Sequence, residues 1–283
     1  MSLVHRILRK PFFGRFEVPW EWPSNTSAER WERVAFDSDN GARLNALWGA
    51  AEGEAVATLV LAHPMGKAAK GFWLRYGHAD LFRAAGFHVL AYDANGFGES
   101  EGVSFDYPAD ALAAGRFARE CEPQLPVGLV GASFGAGWGL CAMARAGSPY
   151  RAAVLEGAFP TLPDFWRHYP VAHAVLRASQ LAWPAMERRL RPEREAARVI
   201  GKPSVLLVHG DGDPYTPPEH GERLARAFGD AATVDMMVLP GVEHTHAYRD
   251  AAEEYARRVV PFLRGALGSG GAPIQQGETQ HVR

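Results

Sequence analysis

From Arg33 onward the apolar positions of the chain fall into a regular pattern. Val34 and Phe36, then Leu44, Ala46 and Trp48, flank Asp39-Asn40-Gly41, a combination that predicts a β-hairpin. After it come short apolar runs at Thr58–Ala62, Val89–Tyr92, Val127–Val130, Ala152–Leu155, Val205–Val208 and Val234–Leu239. Such runs, bounded by turn residues, read as strands buried on both faces. Between most of them lie stretches with helical spacing, among them Tyr76–Ala85, Ala109–Arg119 and Glu219–Phe228, and Ala247–Leu263 follows the last run. Strands alternating with helices predict an α/β fold, with a mainly parallel central sheet and helices on both faces. There is no internal repeat.

Three segments depart from this pattern. Residues 1–33 form an N-terminal extension in which Arg6, Arg9, Lys10 and Arg15 sit beside Leu3, Ile7, Leu8, Phe12, Phe13 and Phe16, followed by Trp20, Trp22 and Trp31. A basic, apolar segment of this kind suggests a membrane-surface arm. Pro11, Pro19 and Pro23 leave no room for a long amphipathic helix and favour an extension packed on the main domain. Residues 157–201 separate two strands by far more chain than one crossover needs. They are rich in proline and aromatic residues, and are expected to form a small cap-like insertion over a site. Residues 267–283 carry Gly268, Gly270, Gly271 and Gly277 with few large apolar side chains, and are expected to be a disordered tail. The main domain is therefore 34–266.

Composition narrows the picture. With 47% hydrophobic and 22% charged residues, the chain has the makings of a folded core. Its 30 glycines and 20 prolines make up about 18% of the length, against a usual total of about 12%, which speaks for many tight turns and against a helical bundle. A formal net charge of −2 gives no argument for a nucleic-acid partner. Only Lys10, Lys67, Lys70 and Lys202 are lysines among the 30 basic residues, an arginine bias without functional meaning. Cys121 and Cys141 cannot build a disulfide framework, and two free thiols fit a reducing, cytoplasmic compartment. No zinc-type Cys/His spacing and no membrane-length apolar run occur, and the N-terminus lacks the long apolar stretch of a signal peptide.

The sharpest chemical signal is Gly131-Ala132-Ser133-Phe134-Gly135, placed between the strand Val127–Val130 and the helical stretch Gly137–Ala146. A strand–turn–helix context requires small residues two before and two after the serine, and it lifts the hydroxyl above the carboxyl edge of the sheet. A serine hydroxyl needs a base to take its proton and an acid to orient that base. Both kinds of residue follow in order: His209-Gly210-Asp211-Gly212-Asp213-Pro214-Tyr215-Thr216-Pro217 after one strand, and Pro240-Gly241-Val242-Glu243-His244-Thr245-His246 after the next.

These motifs, over residues 34–265, resemble the α/β-hydrolase fold superfamily, a group of serine hydrolases and esterases. The resemblance implies Ser133 as nucleophile, Asp213 as acid (from the Gly210-x-x-Asp213-x-x-x-Pro217 loop) and His244 as base. Asp211 and Glu156 are rival acids, and His246 is a rival base. His63-Pro64-Met65-Gly66 resembles the superfamily's His-Gly-x loop and implies an oxyanion hole made by the backbone N–H groups of Met65 and Phe134. Asp93-Ala94-Asn95-Gly96-Phe97-Gly98-Glu99-Ser100 resembles a structural turn of the same superfamily, with Asn95 where arginine is usual. Pro64 and Ala136 are mild departures that remove no catalytic group.

The expected activity is hydrolysis of an ester or related acyl bond through a Ser–His–Asp triad and an acyl-enzyme, with no metal and no organic cofactor. A small-molecule ester or acyl substrate, apolar in view of the aromatic insertion, is expected to meet His63, Phe159 and Trp166, with His63 and His209 shaping the site by hydrogen bonding. An acyltransferase, thioesterase or peptidase would use the same triad, and a non-catalytic scaffold could keep the same fold.

Overall fold

The computed structural model describes residues 20–65, 69–182 and 190–268. Most of the N-terminal arm, Gly66, residues 183–189 of the insertion and nearly all of the glycine-rich tail lie outside the described residues. Strands β1 (Glu32–Asp37) and β2 (Arg43–Gly49) form the expected hairpin, pairing Phe36 with Leu44. Its turn closes through Gly41, whose φ of +87° suits glycine. The chain continues through β3 (Ala57–Ala62), helices α1 (Gly71–Arg75) and α2 (His78–Ala84), β4 (Phe87–Tyr92) and α3 (Tyr107–Cys121). Next come β5 (Val127–Ala132), α4 (Phe134–Met143) and β6 (Tyr150–Glu156). The insertion contributes α5 (Leu162–Phe165), α6 (Pro170–Ala182) and α7 (Pro192–Ala196). The last part holds β7 (Ser204–Gly210), α8 (Pro218–Phe228), β8 (Thr233–Leu239), α9 (Ala247–Asp250) and α10 (Ala252–Leu267).

Among the described residues the strands form one eight-stranded sheet in the order β1-β2-β4-β3-β5-β6-β7-β8. The β1–β2 and β2–β4 pairings are antiparallel, and every pairing from β4 to β8 is parallel. Alternate strand residues feed two cores. Val60, Leu129, Leu155 and Leu207 meet Leu112 of α3, Leu140 of α4 and Leu224 of α8 on one face. Leu59, Leu61, Val130 and Val154 meet Phe82 of α2 and Tyr255, Val259 and Leu263 of α10 on the other. The apolar runs of β3 to β7 are thus double-sided burial, most complete in β3 and β5. The Val234–Leu239 run, expected to be buried on both faces, is instead half-exposed, because β8 is an edge strand with no neighbour beyond it among the described residues.

One predicted helix starts slightly late and another is interrupted. The Tyr76–Ala85 stretch forms α2, whose start at His78 is set by Gly77 at φ +80°. The stretch from Ala247 breaks at Ala251, between α9 and α10. At the start of the domain Trp31 is already buried in the α10-side core, and Trp20 and Trp22 pack against it.

The chain leaves β3 toward β4 and then returns past it to build β5 onward on the other side. Such a reversal opens a crevice at the carboxyl ends of the two central strands. Met65 follows β3 there, and Ser133 follows β5.

Candidate active site

Ser133 joins β5 to α4 with φ +52° and ψ −114°, a left-handed conformation that non-glycine residues rarely adopt. The turn is tight for a measurable reason. A Cβ on Gly135 would lie 2.0 Å from the carbonyl oxygen of Ala62 in β3, and one on Gly131 would lie 2.7 Å from the Cα of Ala136. The Ser133 N–H donates to the Glu156 carbonyl at 2.8 Å, which ties the turn to the end of β6.

The loops after β7 and β8 bring the other two residues to the same place. His244 Nε2 is 2.8 Å from Ser133 Oγ, and its Nδ1 is 2.6 Å from Asp213 Oδ2. Asp213 is held in turn by its own loop. The N–H groups of Tyr215 and Thr216 donate to Oδ1 at 2.8 and 3.0 Å, and the Thr216 hydroxyl donates to Oδ2. Burial pushes the Asp213 carboxyl up, but the hydrogen bond and charge of His244, with the Thr216 contacts, outweigh it and hold the carboxyl down at about 2. Asp213 is therefore ionised at neutral pH. An ionised carboxylate can only accept, so Nδ1 of His244 carries the hydrogen and Nε2 is left to accept from the serine hydroxyl.

The rival residues are engaged elsewhere. Asp211 accepts the Gly241 N–H. Glu156 accepts the Ala247 N–H at 3.0 Å. His246 lies within 3.7 Å of Asp250 and contacts Arg249.

A cavity of about 450 Å³ opens over Ser133 and His244. Met65 and Phe134 line it together with Phe165, Trp166, Tyr169 and Tyr215. Of the three residues expected to meet substrate, only Trp166 is in the lining. His63 is buried, its Nε2 accepting the Ala94 N–H at 3.0 Å and its Nδ1 meeting the Pro64 carbonyl at 2.8 Å. Burial lowers its pKa and favours the neutral ring that this pairing needs. It fastens the loop after β3 to the turn after β4. Phe159 lies beneath Phe134, with ring centroids 5.2 Å apart. His209 is likewise internal, its Nδ1 2.9 Å from the Thr216 carbonyl.

Sequence reasoning did not single out Thr216, Phe165, Tyr169 or Tyr215. Phe165, from α5, packs its ring against Phe134, Tyr215 and His244 at 4.9, 5.6 and 5.6 Å. The usable signal for Thr216 was its place three residues after Asp213, where an aspartate commonly caps its own turn.

The doubly covered parallel sheet, the strained serine after β5 and the partners presented after β7 and β8 define an α/β-hydrolase. Within that class the chain belongs to the serine aminopeptidase S33 family, which matches residues 53–200, just over half of its length. A second family, described as TAP-like protein, matches residues 169–264. The chain is 28% identical over 174 residues to human protein ABHD12B, covering 56% of this chain and 48% of that protein, so it spans about half that relative's length. It is 25% identical over 248 residues to the uncharacterized protein YfhR of Escherichia coli K12, covering 83% of this chain and 81% of that one. The fold is similar to that of the Pyrococcus furiosus esterase Pf2001, with a TM-score of 0.71 at 16% identity over 89% of this chain and 100% of the other. No helix among the described residues is long and apolar enough to cross a membrane.

Proposed function

We propose that the protein is a serine hydrolase that cleaves an ester or related acyl bond of a small apolar substrate. The observation that carries this reading is the continuous hydrogen-bonded series from Ser133 Oγ through His244 to Asp213 at the floor of an aromatic cavity. In this mechanism Ser133 Oγ attacks the carbonyl carbon while His244 Nε2 takes the hydroxyl proton. Asp213 holds the imidazole in its tautomer and stabilises the imidazolium. The negative charge on the former carbonyl oxygen develops beside the N-terminus of α4, where the Phe134 and Met65 N–H groups serve as oxyanion donors. Collapse expels the alcohol, which receives the proton from His244. Water, activated by the same base, then releases the acid and restores Ser133.

The cavity lining supports an uncharged acyl group. Its walls are Phe165, Trp166, Tyr169 and Tyr215, and no lysine or arginine lines it among the described residues. An acyl-CoA or phosphorylated substrate would want such a cation. The family match favours one second reading, an aminopeptidase, which would have to hold a substrate ammonium. Among the described residues Glu243 is the carboxylate in the lining, and its side chain is 68% exposed at the rim, a weak anchor for a cation.

A panel of p-nitrophenyl esters of graded chain length, run beside aminoacyl p-nitroanilides and acyl-CoA thioesters, tests the reading. Ester turnover that disappears in Ser133→Ala is expected. Turnover confined to aminoacyl anilides would replace the esterase reading with the peptidase one.

A further inference from the structure

We propose that Glu156 is a positioning residue for His244, acting through the backbone of the loop that carries the imidazole. The inference rests on the reading of Ser133, His244 and Asp213 as a triad. Glu156 ends β6, directly between Ala132 of β5 and Val208 of β7. Its carbonyl oxygen accepts the Ser133 N–H at 2.8 Å. Its side-chain Oε1 accepts the N–H of Ala247, three residues beyond His244, at 3.0 Å. The next residue completes the contact. Gly157 sits at φ +57°, and a Cβ there would lie 3.2 Å from His244 Cε1. One buried residue thus touches the nucleophile's turn with its main chain and the base's loop with its side chain.

That loop needs an anchor. Thr245 adopts φ +59°, and its buried hydroxyl has no hydrogen-bond partner among the described residues. A residue held in this region costs on the order of 1–3 kcal/mol and persists only where its surroundings enforce it. The Glu156 carboxyl, closing on the first residue of α9, is such an enforcement.

The chemistry of the carboxyl also explains why Glu156 does not serve as the triad's acid. Oε2 is buried and unpartnered among the described residues, in the neighbourhood of the equally unpartnered Tyr255 hydroxyl. Burial lifts the group to about 7, against the Ala247 N–H and with the Asp213 charge adding to the rise. A carboxyl whose charged form is disfavoured by burial can hold a backbone N–H without competing with Asp213 for the imidazole.

Glu156→Met and Glu156→Gln separate the roles, because both nearly keep the volume and only Gln keeps an oxygen for the Ala247 N–H. The expected result is a fall in kcat of roughly tenfold to a hundredfold in Glu156→Met with KM within about twofold, and recovery to within about threefold of wild type in Glu156→Gln. The rate of fluorophosphonate labelling at Ser133 should fall in the same proportion. A folded Glu156→Met with wild-type kcat, or a folded Glu156→Gln as slow as the Met variant, overturns the proposal. Should Glu156→Met not fold, Glu156→Gln decides alone: near-wild-type kcat supports the acceptor role, and a hundredfold loss refutes it. Failure of the wild-type protein to label at Ser133 would instead remove the triad reading beneath it.

Discussion

Asp213 shows how a single side chain can be prepared for one task. Four hydrogen bonds converge on a carboxylate that is nearly sealed from solvent, and His244 is the partner that makes the ion preferable to the acid. Replacing it by asparagine keeps the shape but offers the imidazole the wrong tautomer. Asp213→Asn should lower kcat by about a thousand- to ten-thousandfold with little effect on KM, measured on whichever ester turns over fastest. Two buried carboxyls should also imprint opposite signs on stability. Asp213 lies below its unfolded pKa of 3.8, so its contribution is present at neutral pH and is lost as pH falls toward about 2. Glu156 lies above its unfolded value of 4.5, so the native protein carries a proton that the unfolded chain has shed, and stability falls as pH rises toward about 7. Urea midpoints at about pH 5 and about pH 8 should therefore differ less in Glu156→Gln than in wild type. At this scale Ser133, His244 and Asp213 were legible because each sits in a loop of known offset from a strand. His63 and Phe159 were not correctly placed as substrate contacts, although His63 does hold the loop after β3 by hydrogen bonding as expected. Both lie in irregular chain, where no period tells which way a side chain points, and the structure turns both inward.

Among the elements, the β5–α4 turn is the one that tolerates least. An added methyl at Gly135 meets backbone that cannot rotate away. Gly135→Ala should cost about 3 kcal/mol or more in urea unfolding, or leave no soluble protein. Gly41→Ala, at φ +87° with nothing within 4 Å, should cost only about 1 kcal/mol. The inner strands were readable to within a residue or two because double-sided burial writes continuous apolar runs; β8 was equally readable in extent, but its exposure at the sheet edge was not. Nor was the helix break at Ala251, because the apolar spacing carries on across it. The short α5 was also hidden, although Thr161 caps it by accepting the Asp164 N–H at 3.2 Å. Its Phe165 sets the shape of the cavity. Phe165→Ala should shift the best p-nitrophenyl ester toward longer acyl chains and weaken binding of the short ones, read as kcat/KM across the series.

In the whole molecule, rigid and loose parts are divided by the sheet. Ser133, Asp213 and His244 follow the carboxyl ends of β5, β7 and β8, while α6 of the insertion has no buried residue and leaves Val171, Val175 and Leu181 exposed. Segments with so few buried contacts open at low free energy. Amide hydrogen exchange should be fast over Pro170–Ala182 and slow, near the global limit, over β3 and β5. That division accounts for how the chain could be read as one domain with an insertion: the alternation of strands and helices stops only where the sheet does not need them. The central claim is that Ser133 is an activated nucleophile. Treating the folded protein with a fluorophosphonate, then measuring intact mass and mapping the modified peptide, tests it most directly. A single adduct on Ser133, absent in Ser133→Ala and strongly slowed in Asp213→Asn, is the predicted result. A folded protein that takes up no reagent, or takes it up at another residue, would contradict the account.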